Sequence, residues 1–138
     1  MSKVFLDTNI LLYSYDNSDK KKRDRCRTLL KKTVHDGNGV ISTQVMQEFY
    51  SISTRKFGMD PLFAKEVLAS FEQFETVIIS PSLIHSAADC QILSQLSFWD
   101  ALVVVAAESA RCDALWTEDM NSGQVIRGVR VENPLKSK

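Results

Sequence analysis

Short apolar runs recur along this chain, and each is followed by a longer segment with helical character. That alternation restricts the possible folds more than any other feature. The runs are "VFL" at 4–6, "GVIS" at 39–42, "TVIIS" at 76–80, "ALWT" at 114–117 and "VRVEN" at 129–133. After the first run, "TNILLYSYD" reads as a short helix. "NSDKKKRDRCRTLLKKTVHDG" reads as a longer one, with Ser18 or Asp19 as its cap, an apolar stripe of Cys26, Leu29, Leu30 and Val34, and Gly37 as its stop. "TQVMQEFYSISTRKFG" is helical from a Thr43 cap to Gly58, and "DPLFAKEVLASFEQFE" is opened by Asp60 and Pro61. "PSLIHSAADCQILSQL" again begins with proline. In "FWDALVVVAAESARC" the valine run would suit a strand, but the length and the alanines favour a buried helix. Strands alternating with helices predict an α/β fold: a central, mainly parallel sheet of four to five strands, covered on both faces in three α/β/α layers. With 138 residues and neither repeat nor linker, residues 1–138 read as a single domain.

Composition narrows the class. Seventeen basic residues balance seventeen acidic ones, so net charge selects no partner. No stretch reaches the roughly 18 apolar residues of a membrane span. No signal peptide is expected, because only three apolar residues separate Lys3 from Asp7. Cys26, Cys90 and Cys112 are few, odd in number and far apart. They suit buried or free thiols in a reducing cytoplasm rather than a disulfide framework. His35 and His85 stand alone, without partners at zinc-ligand spacing.

Four acids sit at the ends of apolar elements. Asp7 follows the first strand, where open α/β sheets place their ligand sites, and Asp119 lies just beyond the "ALWT" strand. Asp100 begins the apolar helix. Glu48 shares a helix face with Val45 and Ile52, so it should point at the protein. Each has a plainer use: Asp7 and Asp100 as helix caps or dipole partners, Glu48 as a solvated rim residue, Asp119 as a turn former. Gathered together, four carboxylates would repel one another and raise each other's pKa unless a hard cation neutralised them. Mg2+ or Mn2+ takes oxygen ligands and also binds phosphate.

The stretches "FLDTNILLYSYD", "TQVMQEFYSI", "LSFWDALVVVAA" and "LWTEDMNSGQ", in this order, resemble the PIN-domain family, and most of all the VapC-type toxin ribonucleases of bacterial toxin–antitoxin pairs. The resemblance runs from position 3 to about 134 and is weakest over 20–35 and the last three residues. It implies a PIN-like fold and an Mg2+- or Mn2+-dependent endoribonuclease. Asp7, Glu48, Asp100 and Asp119 would be the catalytic and metal-holding acids, with Asp7 and Asp100 the firmest part of the metal site. Thr8, Asn9 and Thr117 would support them, the latter two by orienting carboxylates through hydrogen bonds. Glu118 adds a neighbouring acid, but Asp119 is favoured. The resemblance also implies a homodimer held inactive by a co-encoded antitoxin protein; the cysteines and the lack of an apolar span lead to the expectation of a cytoplasmic protein with no membrane role. Apolar residues over 62–74 are candidates for dimer contact or for core.

An RNA substrate needs phosphate contacts. "KKKRDRCR", Lys31, Lys32, Arg55 and Lys56 offer positive charge, with Arg55 the first candidate for substrate binding, although the long basic run also reads as a solvated helix face. Tyr13, Phe57, Trp99 and Trp116 are candidates for base stacking or for packing. Two other phosphoryl-chemistry folds are disfavoured on residues. A haloacid-dehalogenase-type phosphatase needs a second Asp where Asn9 stands, and a receiver domain needs an Asp after the third strand, where Ser80-Pro81 stands. A PIN nuclease of RNA processing and a catalytically silent PIN-like binding module stay open.

Overall fold

The computed structural model describes residues 2–136. Its order is β1 (Val4–Leu6), α1 (Thr8–Tyr13), α2 (Lys20–Asp36), β2 (Gly39–Ser42), α3 (Thr43–Arg55), α4 (Pro61–Ser70), β3 (Glu75–Val77), α5 (Pro81–Ser94), α6 (Phe98–Ser109), β4 (Ala114–Trp116), β5 (Val125–Ile126) and β6 (Val129–Glu132). The sheet runs β3-β2-β1-β4-β6-β5, and every neighbouring pair is parallel except β5 with β6. This is the expected α/β architecture, with six strands rather than four to five. The extra strand, β5, is two residues long and turns back on β6 through Arg127 and Gly128, at φ 52° and 78°. Positive φ at both turn positions gives the tight hairpin that matches sheet twist.

The helix signals mostly act as their chemistry directs. Asp19 caps α2 by accepting from the Lys22 N–H, and Gly37 closes it in the left-handed region at φ 67°. Asp60 caps α4 with Pro61 in its first turn. Several boundaries differ from expectation: α1 ends at Tyr13 rather than Asp16, and α4 at Ser70 rather than Glu75. Ser42 rather than Thr43 caps α3, and Thr43 instead accepts from the Ile79 N–H, tying α3 to the segment after β3. α3 ends at Arg55, short of Gly58. β3 covers 75–77 rather than 76–80, because Ser80 already caps α5.

All four residues of β2 are buried, so both of its faces are covered. In α6 every residue from Ala101 to Ala107 is buried, which is why its sequence is apolar on all faces. Phe5, Leu6, Ile41, Val45, Phe49, Val104 and Leu115 are fully enclosed and join the sheet to α3 and α6. The three cysteines are buried and unbridged. Among the described residues no single helix is long and apolar enough to cross a membrane.

Candidate active site

Strand topology places the first acid. From β1 the chain runs outward through β2 and β3, then returns to β4 on the other side of β1. The carboxyl ends of β1 and β4 therefore flank a topological switch point, where crevices form in such sheets. Leu6 pairs with Trp116 across these strands, so the next residues, Asp7 and Thr117, leave the sheet side by side. The Asp7 N–H donates to the Trp116 carbonyl at 3.1 Å. The Asp7 carboxylate accepts from the Thr8 N–H and the Thr117 hydroxyl, each at 2.8 Å. Asp7 thus caps α1 and also faces the switch point. It is 6% exposed. Burial pushes its pKa up to about 6, against the Thr117 and Thr8 hydrogen bonds and with added repulsion from Asp119 and Glu48.

The other acids arrive on separate elements. Glu48, on the second turn of α3, is half-buried and accepts from the Thr8 hydroxyl at 2.8 Å. Asp100 stands in the first turn of α6, whose cap is Ser97 rather than Asp100. Desolvation raises the Asp100 pKa, opposed by Ser97 and reinforced by Asp119. Asp119 is exposed and accepts from the Asn9 side-chain amide at 2.9 Å, while its own N–H donates to Thr117 Oγ1 at 3.1 Å. Asn9 also donates to Thr117 Oγ1, at 3.3 Å. Thr8, Asn9 and Thr117 thus hold three of the four carboxylates in place.

Asp7, Glu48, Asp100 and Asp119 line one cavity of about 340 Å³, together with Thr8, Asn9, Tyr13 and Gln44 and, nearer the rim, Lys56, Phe57 and Trp99. Thr117 lies beneath it, fully buried. Arg55 is not in this wall; it lines an adjoining pocket, and Lys56 is the basic residue of the cavity itself. Glu118 turns away, accepting from the Tyr13 hydroxyl at 2.6 Å and pairing with Lys22 at 3.1 Å. Gln44 was not singled out from the sequence. It lies one helical turn before Glu48, and that spacing is the signal that finds it. Its Nε2 donates to the Trp99 carbonyl at 3.3 Å, which fixes the amide, and its buried Oε1 has no hydrogen-bond partner among the described residues.

The PIN-domain family profile matches residues 4–125, most of the chain and all four acids. The chain belongs to the PIN-domain family. No curated protein matches it in sequence. Solved structures share its fold at low identity. A toxin–antitoxin complex from Klebsiella pneumoniae is 20% identical over 99% of this chain and 100% of that one, at a TM-score of 0.71. A DNA-bound VapBC from Salmonella typhimurium is 16% identical over 97% and 99%, also at 0.71. The sarcin–ricin-loop-cleaving VapC20 toxin of Mycobacterium tuberculosis is 15% identical over 85% and 92%, at 0.69.

In this PIN domain the donor set fits a hard divalent cation. The cavity acids offer only carboxylate oxygens, and no Lys or Arg is paired with any of the four among the described residues. The raised Asp7 pKa is the mark of a buried charge without a counter-charge. Among the described residues no three such ligands are drawn together tightly enough to enclose an ion as they stand. Three of the acids rest instead on the hydroxyl and amide donors of Thr8, Asn9 and Thr117.

Proposed function

We propose that this PIN domain is an Mg2+- or Mn2+-dependent endoribonuclease that hydrolyses RNA phosphodiester bonds, and that it is the toxin of a toxin–antitoxin pair. One observation carries the reading: four carboxylates from four separate parts of the chain line one cavity at the switch point, and among the described residues none is paired with a Lys or Arg. The toxin assignment draws support from structural neighbours that are toxins or toxin–antitoxin complexes. Neighbours solved as toxin–antitoxin complexes support a cognate antitoxin as partner; the homodimeric state and the cytoplasmic setting rest on the sequence reading alone.

Asp7 and Asp100 would hold the cation, and Glu48 and Asp119 would complete its site. When bound, the cation neutralises the carboxylates, polarises the phosphate and lowers the pKa of water. The protein's own groups do the rest. Among the described residues no Cys or His lines the cavity, and in this reading water is the attacking group, with a cavity carboxylate placed to accept its proton. Thr117 and the Thr8 N–H fix the Asp7 carboxylate, and Asn9 fixes Asp119, so little reorganisation accompanies the reaction. The N-terminus of α6 favours negative charge beside Asp100. Lys56 at the rim and Arg55 next to it would contact phosphates.

The second reading is a catalytically silent binding module. It is favoured by the placing of three acids on separate protein donors. Calorimetric titration with Mn2+, paired with an RNA cleavage assay on the same preparation, separates the two. Saturable binding with cleavage supports the nuclease, whereas binding without turnover on total RNA supports the silent module. A nuclease without a neighbouring antitoxin gene would belong to RNA processing instead.

A further inference from the structure

A second pocket opens beside the carboxylate cavity. It has a volume of about 380 Å³ and shares Gln44, Glu48, Ile52 and Trp99 with the cavity, so the two form one continuous groove over α3. Its remaining walls are Gln47, Ser51 and Arg55. Trp99 is 61% exposed, a large share for so apolar a side chain. It is nevertheless held. The Phe98 ring meets it edge to face, with centroids 5.3 Å apart at 77°, and Gln44 fixes its backbone carbonyl. Trp99 also immediately precedes Asp100, so the indole stands one residue from an acid of the proposed reaction centre. Arg55 is exposed and forms no ion pair among the described residues.

We infer that this second pocket is a subsite for the nucleotide next to the scissile phosphate, with its base stacked on Trp99 and the following phosphate on Arg55. The inference rests on the ribonuclease reading above and adds to it where the strand lies. A flat π-face, a cation and polar side chains in one groove are what an unpaired nucleotide requires. An apolar protein segment seated there would strand Gln47, Ser51 and Arg55 without water. Stacking on one aromatic tolerates any base, so this subsite favours single-stranded RNA over duplex without choosing a sequence.

The test is a fluorescence titration with single-stranded eight-nucleotide RNAs, oligo(A) and oligo(U), in an Asp7→Asn background that keeps the RNA whole. Binding should quench tryptophan emission. Trp99→Phe should lose that quenching yet keep affinity, because a phenyl ring still stacks. Trp99→Ala should weaken binding roughly tenfold. Arg55→Gln should reduce the slope of log affinity against log salt by about one contact's worth. In the otherwise unaltered chain, Trp99→Ala should raise KM with little change in kcat. If Trp99→Ala binds and cleaves like the parent, the subsite is wrong and the nuclease reading stands. The same holds if Trp99→Ala alters only the oligomeric mass, which would assign Trp99 to a contact between copies. If the parent neither binds nor cleaves RNA, both fail.

Discussion

Thr117 donates a 2.8 Å hydrogen bond to Asp7, joining two buried side chains that leave adjacent parallel strands at the same level. The same hydroxyl oxygen accepts from the Asp119 N–H and from Asn9. Thr117 is thus the shared support of two of the proposed metal acids. Thr117→Val keeps the shape and removes the hydroxyl. It should cost about 1–3 kcal/mol of stability in chemical denaturation. It should also weaken Mn2+ affinity by about 10- to 100-fold in calorimetry, as loss of a ligand's orienting partner typically does.

Asp7 carries the clearest electrostatic cost in the fold. Its pKa rises from 3.8 to about 6 on folding, so the folded protein prefers the protonated acid. In chelator, the penalty is absent below pH 4 and fully present above pH 6, so stability should fall as pH rises through that window. A shift of this size corresponds to roughly 3 kcal/mol. Asp7→Asn should remove this pH dependence. At pH 7 it should raise the metal-free melting temperature by a few degrees rather than the full amount, because an amide oxygen replaces only one of the two acceptors used by Thr8 and Thr117. A melting series from pH 4 to 8 checks both. Added Mg2+ or Mn2+ should stabilise the unaltered chain more than the variant.

Ser97 connects a helix cap to the site. Its hydroxyl accepts from the Asp100 N–H at 3.1 Å and sets the first turn of α6. Ser97→Ala should cost about 1 kcal/mol in denaturant unfolding. It should also lower cleavage, because Asp100 then sits on a frayed turn. Ser97→Asp, which can also cap, should restore the stability.

Two of the three thiols, Cys26 and Cys112, should be inert in the native state. Burial pushes Cys26 up to about 11 and Cys112 up to about 12, so neither holds appreciable thiolate at neutral pH. Mass spectrometry after iodoacetamide at pH 7.5 should show both unmodified in native protein and alkylated after denaturation.

Much of this arrangement is legible in the sequence. The β/α alternation predicted the parallel sheet, and the stop at Gly37 and the Asp60–Pro61 start marked helix ends because their chemistry is local. The apolar stripe around Glu48 placed its carboxylate against the protein. What escaped notice depends on tertiary context. β5 has two residues and no periodicity to read, and only its pairing with β6 makes it a strand. Ser42 and Thr43 are equally good caps by composition, and the bond from the Ile79 N–H to Thr43 decides between them. Arg55 and Lys56 are adjacent in sequence, yet the end of α3 turns Lys56 into the carboxylate cavity and leaves Arg55 in the next pocket. Glu118 and Asp119 differ in role because Tyr13 and Lys22 take the former and Asn9 the latter.

Under the proposed function the four-carboxylate cavity cleaves RNA with the help of a divalent cation. That function is tested most directly by incubating purified protein with total and structured RNAs in Mg2+, Mn2+ or chelator, beside Asp100→Asn prepared identically. Cleavage should come from the unaltered chain only, in either metal and not in chelator, with the variant folded and inactive. Equal cleavage by Asp100→Asn, or cleavage undiminished by chelator, would contradict the proposed function.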